Sequence, residues 1–158
     1  MVRKMADISI EDIKKLREQT GAGITDAKKA LVEAGGDFDK AAAAMRKKGF
    51  DKAIKRAGRE ASAGLIGSYS HDGRIGVLVE VNCETDFVAK TDEFQELVKN
   101  LCLHVAASAP KDVDELMGQE FVKDPSKTVD DYVKEHIAKL GENIVVKRLV
   151  RFALGEQI

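Results

Sequence analysis

An acid and a large aromatic ring stand side by side in Thr85-Asp86-Phe87-Val88. Sequence spacing supports no nucleophile-base constellation around them. What the pair can do is enter another molecule together, one as a charge and the other as a wedge. The flanking patterns place the pair where such a use is open to it. Ile75, Val77, Val79, Val81 and Cys83 alternate with Gly76, Leu78, Glu80 and Asn82, which predicts a strand with one buried face. Phe94, Leu97, Val98, Leu101 and Val105 follow at helical spacing. The four residues therefore lie at a strand-to-helix junction, where side chains are commonly surface-directed. Two arrangements remain open. If one helix runs from Thr85 onward, Phe87 joins the apolar stripe seven positions before Phe94. If Thr91-Asp92 starts the helix instead, Thr85 to Lys90 is a separate turn and Phe87 is free to point outward.

A second candidate surface is Gly21-Ala22-Gly23, with Arg17 before it and Ile24 and Thr25 after it. As a phosphate cradle it fails: no strand precedes it, position 26 is Asp, and no Gly-Lys-Ser/Thr follows. A glycine turn bordered by Arg17 and an exposed Ile24 fits a protein contact better.

The remaining reactive residues predict packing. His71, His104 and His136 have no metal-ligand spacing, and His104 and His136 lie beside or within apolar stripes. Cys83 and Cys102 form no C-x-x-C and no disulfide framework, and both read as small buried apolar groups. No cofactor, metal site or enzyme active site is expected.

Bulk properties narrow the class. The 158 residues carry 26 Lys+Arg against 27 Asp+Glu, so net charge does not favour nucleic acid or a membrane surface. Trp is absent and aromatics make up 5%, which disfavours a base-stacking platform. Met1 to Ala6 contains no apolar leader and no run approaches the length of a membrane span, which leads us to expect a cytoplasmic protein.

These side chains must be positioned by an α+β framework. Ser9-Ile10-Glu11-Asp12 caps a first helix carrying Ile10, Ile13 and Leu16. Ala27, Ala30, Leu31 and Ala34 mark a second, stopped by Gly35-Gly36. Ala41, Ala42 and Met45 mark a third, expected to end near Gly49. Residues 1–50 therefore read as a three-helix domain. Residues 51–63 continue a basic stretch that begins at Arg46 and read as a solvated, partly helical linker. An RNA contact there is the less economical reading of a charge run. Residues 64–158 read as a three-stranded antiparallel sheet with helices on one face. The strands are Leu65–Ser70, Ile75–Cys83 and Ile144–Leu154, and Asp72-Gly73 turns the first hairpin. Arg148 interrupts the apolar face of the last strand. Pro110 to Pro125 looks less regular. Thr128-Val129-Asp130-Asp131 caps a helix bearing Tyr132, Val133, His136, Ile137 and Leu140, which stops at Gly141. A sheet this small leaves room for a second copy to pair with it.

Three segments also resemble one known family. Leu16 to Leu31 (LREQTGAGITDAKKAL), Val79 to Ala89 (VEVNCETDFVA) and Lys139 to Ile144 (KLGENI) resemble, in order, the signatures of the translation elongation factor Ts family. The resemblance implies a guanine-nucleotide exchange factor for elongation factor Tu, with residues 8–50 similar to ubiquitin-associated domains. It implies that Arg17, Gly21, Ala22, Gly23, Ile24 and Thr25 contact the GTPase's nucleotide-binding domain. Many relatives carry Met at position 24. It further implies that Thr85, Asp86, Phe87 and Val88 enter the GTPase near its magnesium. Longer members repeat the sheet-and-helix half, so this chain is similar to the short form; if one half gives too little contact, two copies are expected to pair sheet to sheet.

Overall fold

The computed structural model describes residues 8–157. The sequence reading of Met1 to Ala6 falls outside that range. Three helices come first: α1 (Ile10–Thr20), α2 (Ile24–Glu33) and α3 (Phe38–Arg56). Ser9 and Asp37 cap α1 and α3 by accepting the amides of Asp12 and Lys40. Leu16, Ala27, Leu31 and Ala41 form a small core among the three helices.

The helix α3 is longer than its sequence suggests. Gly49 reads as a stop, yet the helix continues through it to Arg56. The reason is tertiary. A Cβ at Gly49 would sit 3.0 Å from Ala138 Cβ, so glycine permits the close approach of α3 to the helix α7 (Val129–Leu140). One turn later Ala53 is 2% exposed and belongs to the second, larger core. Beyond it, Arg56 Nη1 donates to the Ile137 carbonyl at 3.2 Å. Part of the basic stretch is thus structural.

The second unit is α+β. Strands β1 (Ala63–His71) and β2 (Ile75–Cys83) form a hairpin closed by the Arg74 amide on the His71 carbonyl at 2.9 Å. Next come a single turn, α4 (Asp86–Ala89), and the long helix α5 (Asp92–Ser108). The stretch that looked irregular contains α6 (Val113–Gly118) and a two-stranded hairpin of β3 (Glu120–Phe121) and β4 (Asp124–Thr128). Buried His104 holds that hairpin. Its Nδ1 accepts the Val122 amide at 3.1 Å, so its Nε2 carries the proton and donates to Gln119 Oε1 at 2.8 Å. After α7, strand β5 (Ile144–Ala153) completes an antiparallel sheet of order β1-β2-β5.

The inner face carries Val77, Val79, Val81, Cys83, Ile144 and Val146 against Phe94, Leu97, Leu101 and Val105 of α5 and Val133 and Ile137 of α7. Arg148 does not lie on this face. The register with β2 shifts between Glu80 and Val81, which pair with Arg148 and Val146, so Lys147 is bulged. A bulge exchanges the two faces of a strand. Beyond it Leu149 packs inward, while Arg148 points outward and its Nε donates to Glu80 Oε2 at 2.7 Å. The same switch turns Val150 and Phe152 outward beside Leu78, and Phe152 is 61% exposed.

Two outcomes follow. Ala53→Glu is expected to cost about 3 kcal/mol or more in chemical denaturation, because it buries an unpaired carboxylate, whereas Lys52→Glu on the exposed side stays within about 0.5 kcal/mol. His136 is held below its ordinary value of 6.5, chiefly by burial. The unfolded ring therefore binds protons more readily than the native ring, and this contribution to stability is lost as pH falls below about 6.5. Denaturation series at about pH 7.5 and about pH 5.5 should show His136→Gln less acid-sensitive than the parent chain.

Candidate functional site

The turn after β2 is built from both of its ends. Thr85 is extended (φ −130°, ψ 153°) and its hydroxyl accepts the Val88 amide at 3.4 Å, which opens α4. Asp86 lies in the first turn, where the helix dipole favours an acid. A second N-cap then begins α5: Thr91 Oγ1 accepts the Phe94 amide at 3.2 Å and donates to the Val88 carbonyl at 2.7 Å. Of the two arrangements left open by the sequence, the structure adopts the separate turn.

The two apolar neighbours of Phe87 have different surroundings. Ala89 is buried and Val88 is half-buried against the main core. Phe87 is 87% exposed, the most exposed large hydrophobic residue among the described residues. Asp86 beside it is also exposed. The turn is therefore anchored through Val88 and Ala89 and presents a ring and a carboxylate to solvent.

Beneath the turn, the chain that follows α7 supplies polar support. Gly141 ends the helix in the left-handed region (φ 77°), and its amide donates to the Ile137 carbonyl at 3.0 Å. Glu142 then reaches Thr85 with both carboxylate oxygens. Thr85 N–H donates to Oε1 at 3.0 Å and Thr85 Oγ1 donates to Oε2 at 2.7 Å. Buried Asn143 donates its amide to Glu84 Oε1 at 2.8 Å and its Nδ2 to the Arg59 carbonyl at 2.8 Å. Arg59 in turn faces Glu84 at 3.6 Å. Burial raises the Cys83 thiol above its ordinary value, with Glu142 adding to the shift, so the protonated Sγ donates to the Thr85 carbonyl at 3.2 Å.

The glycine loop lies against the same corner. Gly21 is left-handed (φ 67°) and donates to the Arg17 carbonyl at 2.8 Å. A Cβ there would strike Lys139 Cγ and lie 3.1 Å from Lys139 Cβ, so both conformation and space require glycine. Lys139 Nζ meets Glu93 at 3.1 Å. Arg17, Gly21, Gly23, Ile24 and Thr25 are exposed, Ala22 is half-buried, and Ile24 reaches 58% exposure. A cleft of about 570 Å³ is lined by this loop, α3 and α7, with Arg46, Lys48, Lys52, Lys127 and Lys139 as well as Asp26 and Glu135 in its walls. The two candidate segments thus lie on separate elements that both contact the Lys139–Asn143 corner.

Spacing alone did not reveal Glu142 and Asn143 as the support, since Thr85 and Glu142 are 57 positions apart. Their place in the third family-like segment was the only signal. Among the described residues no group of three or more His, Cys, Asp or Glu side chains is arranged to hold a metal ion, and no helix is long and apolar enough to cross a membrane.

Comparison with known proteins identifies the family. The family model described as elongation factor TS matches residues 84–158, from Glu84 of the corner onward. The elongation factor Ts of Thermoanaerobacter sp. (strain X514) is 46% identical over 197 aligned residues, covering 96% of this chain and 97% of that protein. This chain belongs to the elongation factor Ts family. That of Moorella thermoacetica (strain ATCC 39073 / JCM 9320) is also 46% identical at the same coverage, and that of Myxococcus xanthus (strain DK1622) is 42% identical over 98% of this chain and 92% of its own length. The alignment is longer than the 158 residues here, so elongation factor Ts relatives carry internal residues without a counterpart in this chain. Membership in the elongation factor Ts family assigns the chain a role in translation elongation.

The exposure of Phe87 has a direct consequence for stability. Phe87→Ala should leave unfolding free energy within about 0.5 kcal/mol of the parent. Phe94→Ala, at a fully buried position, should cost about 3–5 kcal/mol in the same denaturation measurement.

Proposed function

We propose that this chain is a guanine-nucleotide exchange factor for elongation factor Tu and acts without covalent chemistry. The observation that carries the reading is the outward projection of Phe87, at 87% exposure, from a turn whose other apolar residues are anchored. A soluble fold gains nothing from such a ring, whereas an interface gains a rigid aromatic anchor.

Residues 8–50 dock on the nucleotide-binding domain through Arg17, Gly21, Ala22, Gly23, Ile24 and Thr25. Residues 64–158 carry the wedge. In the GTPase, magnesium bridges the nucleotide phosphates to the protein and neutralises their charge. Phe87 enters between the elements that hold the metal's water shell. Asp86 supplies a carboxylate nearby, Thr85 caps the turn, and Val88 fixes it to the core. Loss of the metal leaves the phosphates under-compensated, and GDP departs. Docking through the loop supplies affinity in advance, so the wedge reaches its target already oriented.

The coupling is reciprocal: whatever factor this chain takes from nucleotide affinity, nucleotide takes from this chain. A change of about 1000-fold requires about 4 kcal/mol of opposed binding energy, which is within the reach of a few well-placed anchors.

The same reading includes a homodimer through the outer face of the sheet. Ile66, Leu78, Val150 and Phe152 leave that face apolar and exposed, with the Glu80–Arg148 pair beside them. Sedimentation of the parent chain and of Phe152→Asp tests it: a dimer that becomes a monomer supports the pairing, and an unchanged monomer contradicts it.

The principal test is release of labelled GDP from purified elongation factor Tu. The parent chain should accelerate release, and Phe87→Ala should lose most of that acceleration while melting normally. Asp86→Ala should lower the maximal rate with little change in the concentration needed for half effect. Acceleration unchanged by Phe87→Ala would contradict the wedge.

A further inference from the structure

We propose that Glu142 is a positioning residue: its carboxylate holds the Thr85 turn so that Asp86 and Phe87 are presented in one orientation. The inference rests on the wedge reading above and deepens it.

A helix of four residues has too little internal hydrogen bonding to fix its own direction. The cap is also weak in geometry, since Thr85 Oγ1 accepts the Val88 amide only at 3.4 Å. The hydroxyl has a single proton and commits it to Glu142 Oε2 at 2.7 Å, while the Thr85 amide is committed to Oε1 at 3.0 Å. A carboxylate that receives both donors of one residue defines position and rotation together. Packing of Val88 and Ala89 fixes the turn from below, and Cys83 Sγ and Thr91 Oγ1 donate to its Thr85 and Val88 carbonyls at 3.2 and 2.7 Å. Those bonds hold carbonyls only; Glu142 alone among these partners holds the amide and hydroxyl of Thr85.

Glu142 is itself fixed. On one side is the Gly141 terminus of α7, whose Ile137 carbonyl also accepts Arg56 Nη1 at 3.2 Å. On the other is buried Asn143, held by Glu84 and by the Arg59 carbonyl. Lys139, less than one turn before Gly141, is the residue against which Gly21 packs. The support of the wedge and the support of the docking loop are therefore one continuous piece of backbone, Lys139 to Asn143.

The alternative is that Glu142 merely stabilises the fold, and melting temperature alone would not separate the two. Three readouts on the full chain do: amide hydrogen exchange at Thr85 to Lys90, the maximal rate of GDP release from elongation factor Tu, and the chain concentration giving half of that rate. Glu142→Ala should speed exchange of these amides and lower the maximal rate by about 10–100-fold, the scale at which a misplaced group costs activity. The half-effect concentration should change by less than about 3-fold, because the loop still docks. Glu142→Gln keeps one acceptor oxygen, and should fall between parent and alanine variant. It carries the test if the alanine variant fails to fold. In the Phe87→Ala background, Glu142→Ala should add much less than its full loss, since a missing ring cannot be misaimed and only the share of Asp86 remains to be lost.

Unchanged amide exchange overturns the clamp. An unchanged maximal rate, or a full additional loss on top of Phe87→Ala, overturns the positioning role while leaving the wedge intact. If the parent chain itself fails to accelerate GDP release, the exchange-factor reading falls and the positioning role falls with it; amide exchange still reports whether the clamp exists.

Discussion

Thr85 gives both of its hydrogen-bond donors to the two oxygens of one carboxylate, and much of the functional geometry depends on that pair. The carboxylate belongs to Glu142, directly after the glycine that terminates α7. Because Arg56 of α3 reaches the Ile137 carbonyl and Gly21 of the glycine loop packs on Lys139, distant parts of the chain converge on the end of α7 and the residues just after it. The polar bonds there are partly buried, where they are stronger than at the surface and where an unmade partner is costly. By contrast the nearby Lys139–Glu93 and Arg59–Glu84 ion pairs are partly exposed to solvent, which screens them and keeps their own contribution modest. Packing supplies the stability of the fold, and this corner supplies its relative geometry.

A useful wedge must be exposed yet rigid, two demands that ordinarily conflict. An exposed aromatic ring on a loose loop would lose rotational and chain freedom on entering a partner, and that loss would come out of the binding energy. Here the exposed ring stands on a turn pinned by Val88 and Ala89 below and by Glu142 beside it. The strained or unusual feature is not in the backbone of the turn, whose residues occupy ordinary conformations. It is the placement of an apolar ring where the fold has no use for it.

Much of this architecture is legible from residue order. The alternation of Ile75 to Cys83 gave β2, Ser9 and Thr128 marked two helix starts, and Asp72-Gly73 marked the hairpin, because each signal is local and short-ranged. The failures are all tertiary. Gly49 looks like a helix stop until α7 is laid beside it, and Arg148 looks misplaced until the bulge at Lys147 is known. Pro110 to Pro125 hid a helix and a hairpin whose organising residue, His104, lies on α5. At the site, Phe87 could be singled out but its direction could not, since the choice between one helix and two depended on which threonine capped. Both Thr85 and Thr91 do. Glu142 was invisible to spacing because a contact across 57 positions leaves no periodic trace.

We propose that this chain speeds nucleotide release by disturbing the magnesium of elongation factor Tu. The most direct test is the factor by which the chain accelerates GDP release, measured with magnesium present and again with magnesium chelated. If the claim holds, chelation makes basal release fast and the chain then adds a much smaller acceleration. An equal acceleration in both conditions would contradict it.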